Sequence, residues 1–246
     1  MKNSRNVTVL LKSGFRNFLN LLYPARCPLC HRILKDRHTL ICADCAVELK
    51  PISEPRCFKC GKPVKEEEEY CPDCRKHSLA FTQGRGIFPY DEKMKYSIMK
   101  YKYFGCREYG KFYGKAMYIY AGDVIRRWKP DIIVPVPLHW RKFRRRGFNQ
   151  AEFLAEELSG YTGIPLDTTL VKKKKATKSQ KKLNADQRRK NLQEAFQITG
   201  NPAGKCILLV DDVYTTGSTM DVLSRAFLEK GASKVFFVTV CIGSNR

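Results

Sequence analysis

Apolar positions recur along the chain in two registers. Residues 1 to about 26 carry Val7, Leu10, Leu11, Phe15, Phe18, Leu19 and Leu22 at spacings of three and four, one face of an amphipathic helix made basic by Lys2, Arg5, Lys12 and Arg16. Such a helix packs on a neighbouring domain, or else lies against a membrane surface or a partner. From Thr82 onward, strands and helices alternate. The pattern predicts a strand or hairpin near 82–90, a helix near 91–103 and another over about 107–128. DIIVPVP is a short β-branched run stopped by Pro135 and Pro137; a basic loop and a helix from about Asn149 to Ser159 follow it. KCILLV repeats the theme, leading into the loop DDVYTTG, a helix to about Lys230 with Gly231 as its stop, and the strand KVFFVTVCI. Apolar strands alternating with helices predict an α/β fold, a mostly parallel sheet covered on both faces.

Residues 27–76 break this texture. They hold few large apolar residues, the acidic run Glu66 to Glu69, and eight of the 11 cysteines in four C-x-x-C pairs. Cys27 and Cys30 are followed by Cys42 and Cys45; Cys57 and Cys60 are followed by Cys71 and Cys74. Each pair can form a turn that points two sulfurs at one ion, and two turns complete the closed tetrahedral shell of a structural Zn²⁺. Gly61 suits the positive φ of such a knuckle, and Pro28 and Pro72 stiffen two of the others. The quartets close either in sequence order or in a cross-braced way. His31, His38 and His77 are surplus to an all-Cys shell. The chain therefore divides into an N-terminal helix (1–26), a small Cys-rich double zinc ribbon (27–76) and an α/β domain (82–246).

Charge changes the picture next. Lys and Arg number 46 against 24 Asp and Glu, a formal charge of +22, which calls for an acidic substrate or partner with phosphate as the first candidate. No uncharged apolar stretch is long enough to span a bilayer, and Lys12 and Arg16 interrupt the only stretch that resembles a secretory signal. Metal-type cysteine spacing fits a reducing cytoplasm.

The strand Ile207–Val210 delivers Asp211, Asp212, Val213, Tyr214, Thr215, Thr216, Gly217, Ser218 and Thr219 to the start of a helix, the edge at which open α/β sheets bind ligands. Hydroxyls, a glycine and free helix amides suit a phosphate dianion, while two carboxylates beside them suit hydroxyls or Mg²⁺ on the same ligand. This segment, VDDVYTTGST, resembles the phosphoribosyl pyrophosphate loop of type I phosphoribosyltransferases. The resemblance implies that Asp211 and Asp212 bind the ribose hydroxyls, that Thr215, Thr216, Gly217, Ser218 and Thr219 hold the 5-phosphate, and that Mg²⁺ accompanies phosphoribosyl pyrophosphate. Members acting on 6-oxopurines carry an acidic base acceptor where this chain has Thr215, which argues against hypoxanthine or guanine as substrate.

VPVPLHWRKFRRRGFNQAEFLA looks like the pyrophosphate loop of the same fold, with Arg141, Lys142, Arg144, Arg145 and Arg146 as cations and Gly147 freeing the backbone. His139 either polarises a phosphate oxygen or is a bystander. A third stretch carries Lys172, Lys173, Lys174, Lys175, Lys178, Lys181, Lys182, Arg188, Arg189 and Lys190. Such density predicts a mobile loop that stays solvated, closes over pyrophosphate or follows a nucleic-acid backbone. Aromatics interleaved with cations in MKYSIMKYKYFGCREYGKFYGK stack bases or, by their helical spacing, pack the core.

Taken in order, the double C-x-x-C region and the three basic and phosphate segments resemble the bacterial ComF family of competence proteins across essentially the whole chain. That resemblance implies a cytoplasmic protein of natural transformation, handling incoming single-stranded DNA near the uptake machinery at the inner face of the membrane and binding phosphoribosyl pyrophosphate. The alternative is an active Mg²⁺-dependent phosphoribosyltransferase that transfers ribose 5-phosphate to a nitrogen acceptor.

Overall fold

The computed structural model describes residues 24–36, 38–174 and 195–243. The helix predicted over 1–26, apart from its last three residues, lies outside the described residues, as do Lys175, Lys178 and the other cations from Lys181 to Lys190. Two compact units make up the chain, Met1–Leu49 and Lys50–Arg246.

In the first unit a turn at Cys27–Cys30 is closed by the bridge Arg26↔Ile33, and Cys42 opens the short helix α1 (Ala43–Glu48). The second unit begins with the same construction: the bridge Arg56↔Pro63 closes a turn, and Cys71 opens α2 (Pro72–Lys76). The repetition extends to individual bonds. Cys27 N donates to Arg32 O and His31 N to Cys27 O, just as Cys57 N donates to Lys62 O and Gly61 N to Cys57 O. At the residue after the knuckle the backbone turns left-handed, φ 77° at Gly61 and φ 62° at His31. The surplus histidine of the first module thus fills the turn position that glycine fills in the second.

The rest of the second unit is β1 (Gln83–Pro89), α3 (Glu92–Tyr103), α4 (Tyr109–Trp128), β2 (Ile132–Pro135), α5 (Trp140–Arg146), α6 (Gln150–Thr162), β3 (Val171–Lys173), β4 (Phe196–Ile198), β5 (Cys206–Tyr214), α7 (Ser218–Glu229) and β6 (Lys234–Ile242). Among the described residues β1, β6, β5 and β2 lie side by side in that order, all parallel. β3 and β4 pair antiparallel, as a separate arm that brackets the undescribed basic segment.

The central strands are buried on both sides, which explains their continuous apolar runs. Ile207 and Leu209 of β5, Val235 and Phe237 of β6, and Ile132 and Val134 of β2 cluster with Leu223 and Phe227 of α7. The same cluster contains Phe81, Cys57, Cys60 and Cys71. The second cysteine module, with little core of its own, shares the α/β core. It is also stitched to β1: Gly84 N donates to Lys59 O at 2.8 Å, and buried Arg56 donates to Gly86 O at 2.7 Å.

Three local expectations need correction. The acidic pair belongs to strand β5 and not to a loop, because pairing with the nine-residue β6 continues from Asp211↔Thr239 to Tyr214↔Ile242. The basic loop after β2 is largely helical: α5 is capped by His139, whose Nδ1 accepts from Arg141 N, and ends at Gly147. The next helix runs to Thr162 instead of Ser159, since Gly163, not Gly160, terminates it.

Candidate functional site

The C-terminal edge of the sheet gathers the chemistry. β5 carries Asp211 and Asp212 to this edge with both carboxyls largely out of water. Asp212 forms an ion pair with Lys102 Nζ at 2.7 Å, reaching from the last turn of α3. Burial draws the Lys102 ammonium down, but the neighbouring Asp212 carboxylate more than offsets it and the net shift is upward. Asp211 accepts the Asp212 backbone N–H at 2.8 Å, and burial together with the Asp212 charge pushes it up to about 7. A compensated carboxylate thus stands beside one that favours neutrality until a hydroxyl or a cation meets it.

Immediately beyond, Thr215 to Ser218 turn the chain into α7. Gly217 holds φ 80° at the N-cap, and a Cβ there would lie 2.4 Å from the Tyr214 hydroxyl, so both conformation and space require glycine. Thr216 and Ser218 hydroxyls lie 2.9 Å apart. A cavity of about 30 Å³, lined by Asp211 and Val213 to Met220, sits in the curl of this turn. Its size and its helix-start amides suit a phosphoryl group.

On the β2 side, α5 presents the basic residues. Arg141 and Arg144 lie over the Trp140 ring, Arg145 and Arg146 over the Tyr103 ring, all within 6 Å of the ring centroids. Arg146 also binds Gln150 Oε1 at 2.6 Å and the Tyr103 hydroxyl at 2.7 Å. Trp140 is 53% exposed and Phe143 48%, large apolar faces left in water among guanidinium groups. His139 is buried; burial first, then the charges of Arg141, Lys173 and Lys142, hold its pKa below the ordinary imidazole value. Its capping bond and neutral ring make it a builder of this helix.

Of the third basic stretch, Lys172, Lys173 and Lys174 are described. Lys172 and Lys174 point to solvent, whereas Lys173 lies over Phe196 at 4.8 Å and has its pKa lowered by burial and by Lys142. The Asp211 charge acts on it in the opposite sense, which ties this arm electrically to the acidic pair. The aromatic segment divides as its periodicity predicts: Tyr101, Tyr109, Phe112 and Tyr113 are buried, while Tyr103 and Phe104 remain exposed.

Both cysteine quartets close in sequence order. The Sγ atoms of Cys27, Cys30, Cys42 and Cys45, and those of Cys57, Cys60, Cys71 and Cys74, each lie within 4.8 Å of one another, with Cys30–Cys42 at 3.7 Å and Cys60–Cys71 at 3.6 Å. A tetrahedral shell with Zn–S near 2.3 Å requires S···S separations of roughly 3.8 Å, so the donor sets fit structural zinc without an open position.

Residues 18–75 match the double zinc ribbon domain, and residues 114–246 match the phosphoribosyl transferase domain. Competence protein F of Haemophilus influenzae is 30% identical over 225 residues, covering 89% of this chain and 96% of that protein. The chain belongs to the ComF family. Competence protein ComFC of Bacillus subtilis is 32% identical over 199 residues, 78% of this chain and 79% of that one. DNA utilization protein YhgH of Escherichia coli K12 is 29% identical over 224 residues, 90% of this chain and 98% of its own length. In this ComF chain a phosphoribosyltransferase-like sheet with helices therefore follows a double zinc ribbon. No helix among the described residues is long and apolar enough to cross a membrane.

Sequence reasoning missed Lys102, Trp140 and Phe143. Lys102 lay in a run read for its aromatics, and no local pattern marks which lysine reaches a carboxylate over 100 residues away. Trp140 and Phe143 were legible as aromatics spaced three apart among arginines, the alternation that a stacking surface needs.

Proposed function

We propose that this ComF protein binds Mg²⁺–phosphoribosyl pyrophosphate at the β5 edge and carries single-stranded DNA across α5, as part of handling incoming DNA in competence. The observation that carries the reading is the partly neutralised pair Asp211–Asp212 placed against a phosphate-sized turn. Asp211 and Asp212 would meet the ribose hydroxyls, Thr215, Thr216, Gly217, Ser218 and Thr219 the 5-phosphate, and the cations of α5 the diphosphate. Bound Mg²⁺ would neutralise diphosphate charge, and the chain's own part is to orient the sugar and shield it. A protein of this kind works in the cytoplasm, close to the uptake machinery at the membrane.

The DNA half rests on Trp140 and Phe143, exposed beside Arg141, Arg144 and Arg145, with Lys172 and Lys174 on the neighbouring arm. Cations track phosphates while aromatic faces stack bases. The test is anisotropy of a labelled oligonucleotide titrated with zinc-loaded protein at several salt concentrations, with and without Mg²⁺–phosphoribosyl pyrophosphate. Six phosphate contacts predict roughly a 300-fold loss of affinity between 50 and 200 mM salt. A flat salt response, or no binding, would reject the DNA role.

A further inference from the structure

α3 carries large apolar side chains on two sides. Met94, Ser97, Ile98 and Tyr101 are buried and fasten the helix to the α/β unit. A second series, Tyr96, Met99, Tyr103 and the C-cap residue Phe104, repeats the spacing of three and four one step further round, with Lys100 inside it. Its members stay 42%, 38%, 47% and 58% exposed. One buried stripe suffices to anchor a helix of twelve residues. Aromatic side chains grouped on the other side, in water, mark an interaction surface.

Cations lie on the rings of this second stripe. Lys100 Nζ is 5.3 Å from the Tyr96 centroid and 4.4 Å from that of Phe104, and the guanidinium groups of Arg145 and Arg146 are 4.9 and 4.6 Å from Tyr103. Arg146 is the joint: its bond to the Tyr103 hydroxyl ties α5 to the last turn of α3, so the alternation of rings and cations on α5 continues onto α3. The segments Lys93 to Phe104 and Trp140 to Arg146 hold four and five Lys and Arg respectively, and no Asp or Glu. Lys95 and Lys102 are engaged by Glu92 and Asp212, acids from outside these segments.

This placement selects among occupants. A helix that lies on a membrane separates its apolar face from its charges, whereas here a ring cannot enter hydrocarbon without drawing a cation in with it. A protein partner would have to bury these cations or bring an acid to each. A single strand of DNA meets both halves of the pattern at once, with phosphates for the cations and bases for the ring faces. We propose that the outer face of α3 is the second half of a single-strand path, so that DNA crossing α5 passes Tyr103 and continues along Phe104, Lys100 and Tyr96. The inference rests on the DNA reading of α5 and extends it to a second element. Tyr96 to Phe104 spans about 12 Å along the helix axis, room for about three nucleotides at ~3.4 Å each.

Anisotropy of a labelled oligothymidylate of about 12 nucleotides, titrated with the zinc-loaded full chain, tests it. Tyr96→Ala and Phe104→Ala should each weaken binding roughly fivefold or more, whereas Tyr96→Phe, which keeps the ring, should stay within about twofold of the parent. Lys100→Gln should lower the slope of log affinity against log salt by about one. Combined with Trp140→Ala, the loss from Tyr96→Ala should multiply, because one strand spans both helices. Melting temperatures should match the parent, since these side chains are half in solvent. Alanine variants within about twofold of the parent, alongside a Trp140→Ala that weakens binding, would overturn the α3 path and leave α5 intact. No binding by the parent would overturn both. Losses that do not multiply, or equal competition by a duplex of the same length, would overturn the continuous stacking path. Sedimentation with phosphatidylglycerol vesicles that both alanine variants abolish, with DNA affinity unchanged, would give this face to a membrane and overturn the proposal.

Discussion

Asp211 lies in β5 with its carboxyl enclosed beside Asp212, and its pKa rises from an ordinary 3.8 to about 7. A raised acid pKa means that the folded chain holds a proton the unfolded chain has released. Stability from this residue is therefore present below pH 4 and is lost as pH climbs toward 7. Asp211→Asn removes the penalty, so the variant should melt above the parent at pH 7 to 8, with the gap closing toward pH 4; thermal unfolding followed across that range checks it. Asp212 is ion-paired with Lys102, so Lys102→Met should leave two buried acids without a cation and lower stability at pH 8 by about 3 kcal/mol, read from denaturant unfolding. The acids were legible in the sequence because a phosphate-and-hydroxyl site needs carboxylates and threonines within a few consecutive residues. Their electrostatic balance was not, since it is set by a helix that the chain makes much earlier.

At the scale of elements, the turn from β5 into α7 depends on one backbone angle. Gly217→Ala forces a Cβ onto the Tyr214 hydroxyl and into a left-handed conformation, and should destabilise the unit by at least ~1 kcal/mol while weakening binding at the turn. α5 shows what periodicity leaves unread. Its arginines were evident, but a run so dense in charge reads as a loop, and only the His139 cap and the Gly147 stop make it a helix that puts Trp140 beside the cations. Trp140→Ala should weaken single-stranded DNA binding by roughly tenfold, in keeping with ~1–3 kcal/mol per stacked base, with little change in melting temperature because the ring is half in solvent. Anisotropy and thermal unfolding on the same samples test both halves. Strand β5 was underestimated for a related reason: acidic residues read as a strand's end, yet pairing to β6 carries the strand through them.

Over the whole molecule, the sequence showed two cysteine modules of closely matched spacing but not that they differ in setting. Spacing marks the eight sulfurs as zinc donors; it leaves open which of them share an ion and is silent on what each module packs against. Cys57, Cys60 and Cys71 sit in one apolar cluster with Phe81, Tyr214 and Phe237, directly under the strand that carries the acidic pair. Cys60→Ser should therefore lower zinc from two ions per chain to one and reduce the unfolding midpoint of the α/β unit by about 10 °C, as a loss of ~3 kcal/mol would. Metal analysis with calorimetry measures both. The claim on which the rest depends is that the β5 edge holds a ribose phosphate. Isothermal titration of Mg²⁺–phosphoribosyl pyrophosphate into the zinc-loaded chain and into Asp211→Asn, shown folded by its melting curve, tests it most directly. Saturable one-site binding to the parent, at least tenfold weaker in the variant, is the predicted result; no binding to the parent, or equal binding to both, would contradict it.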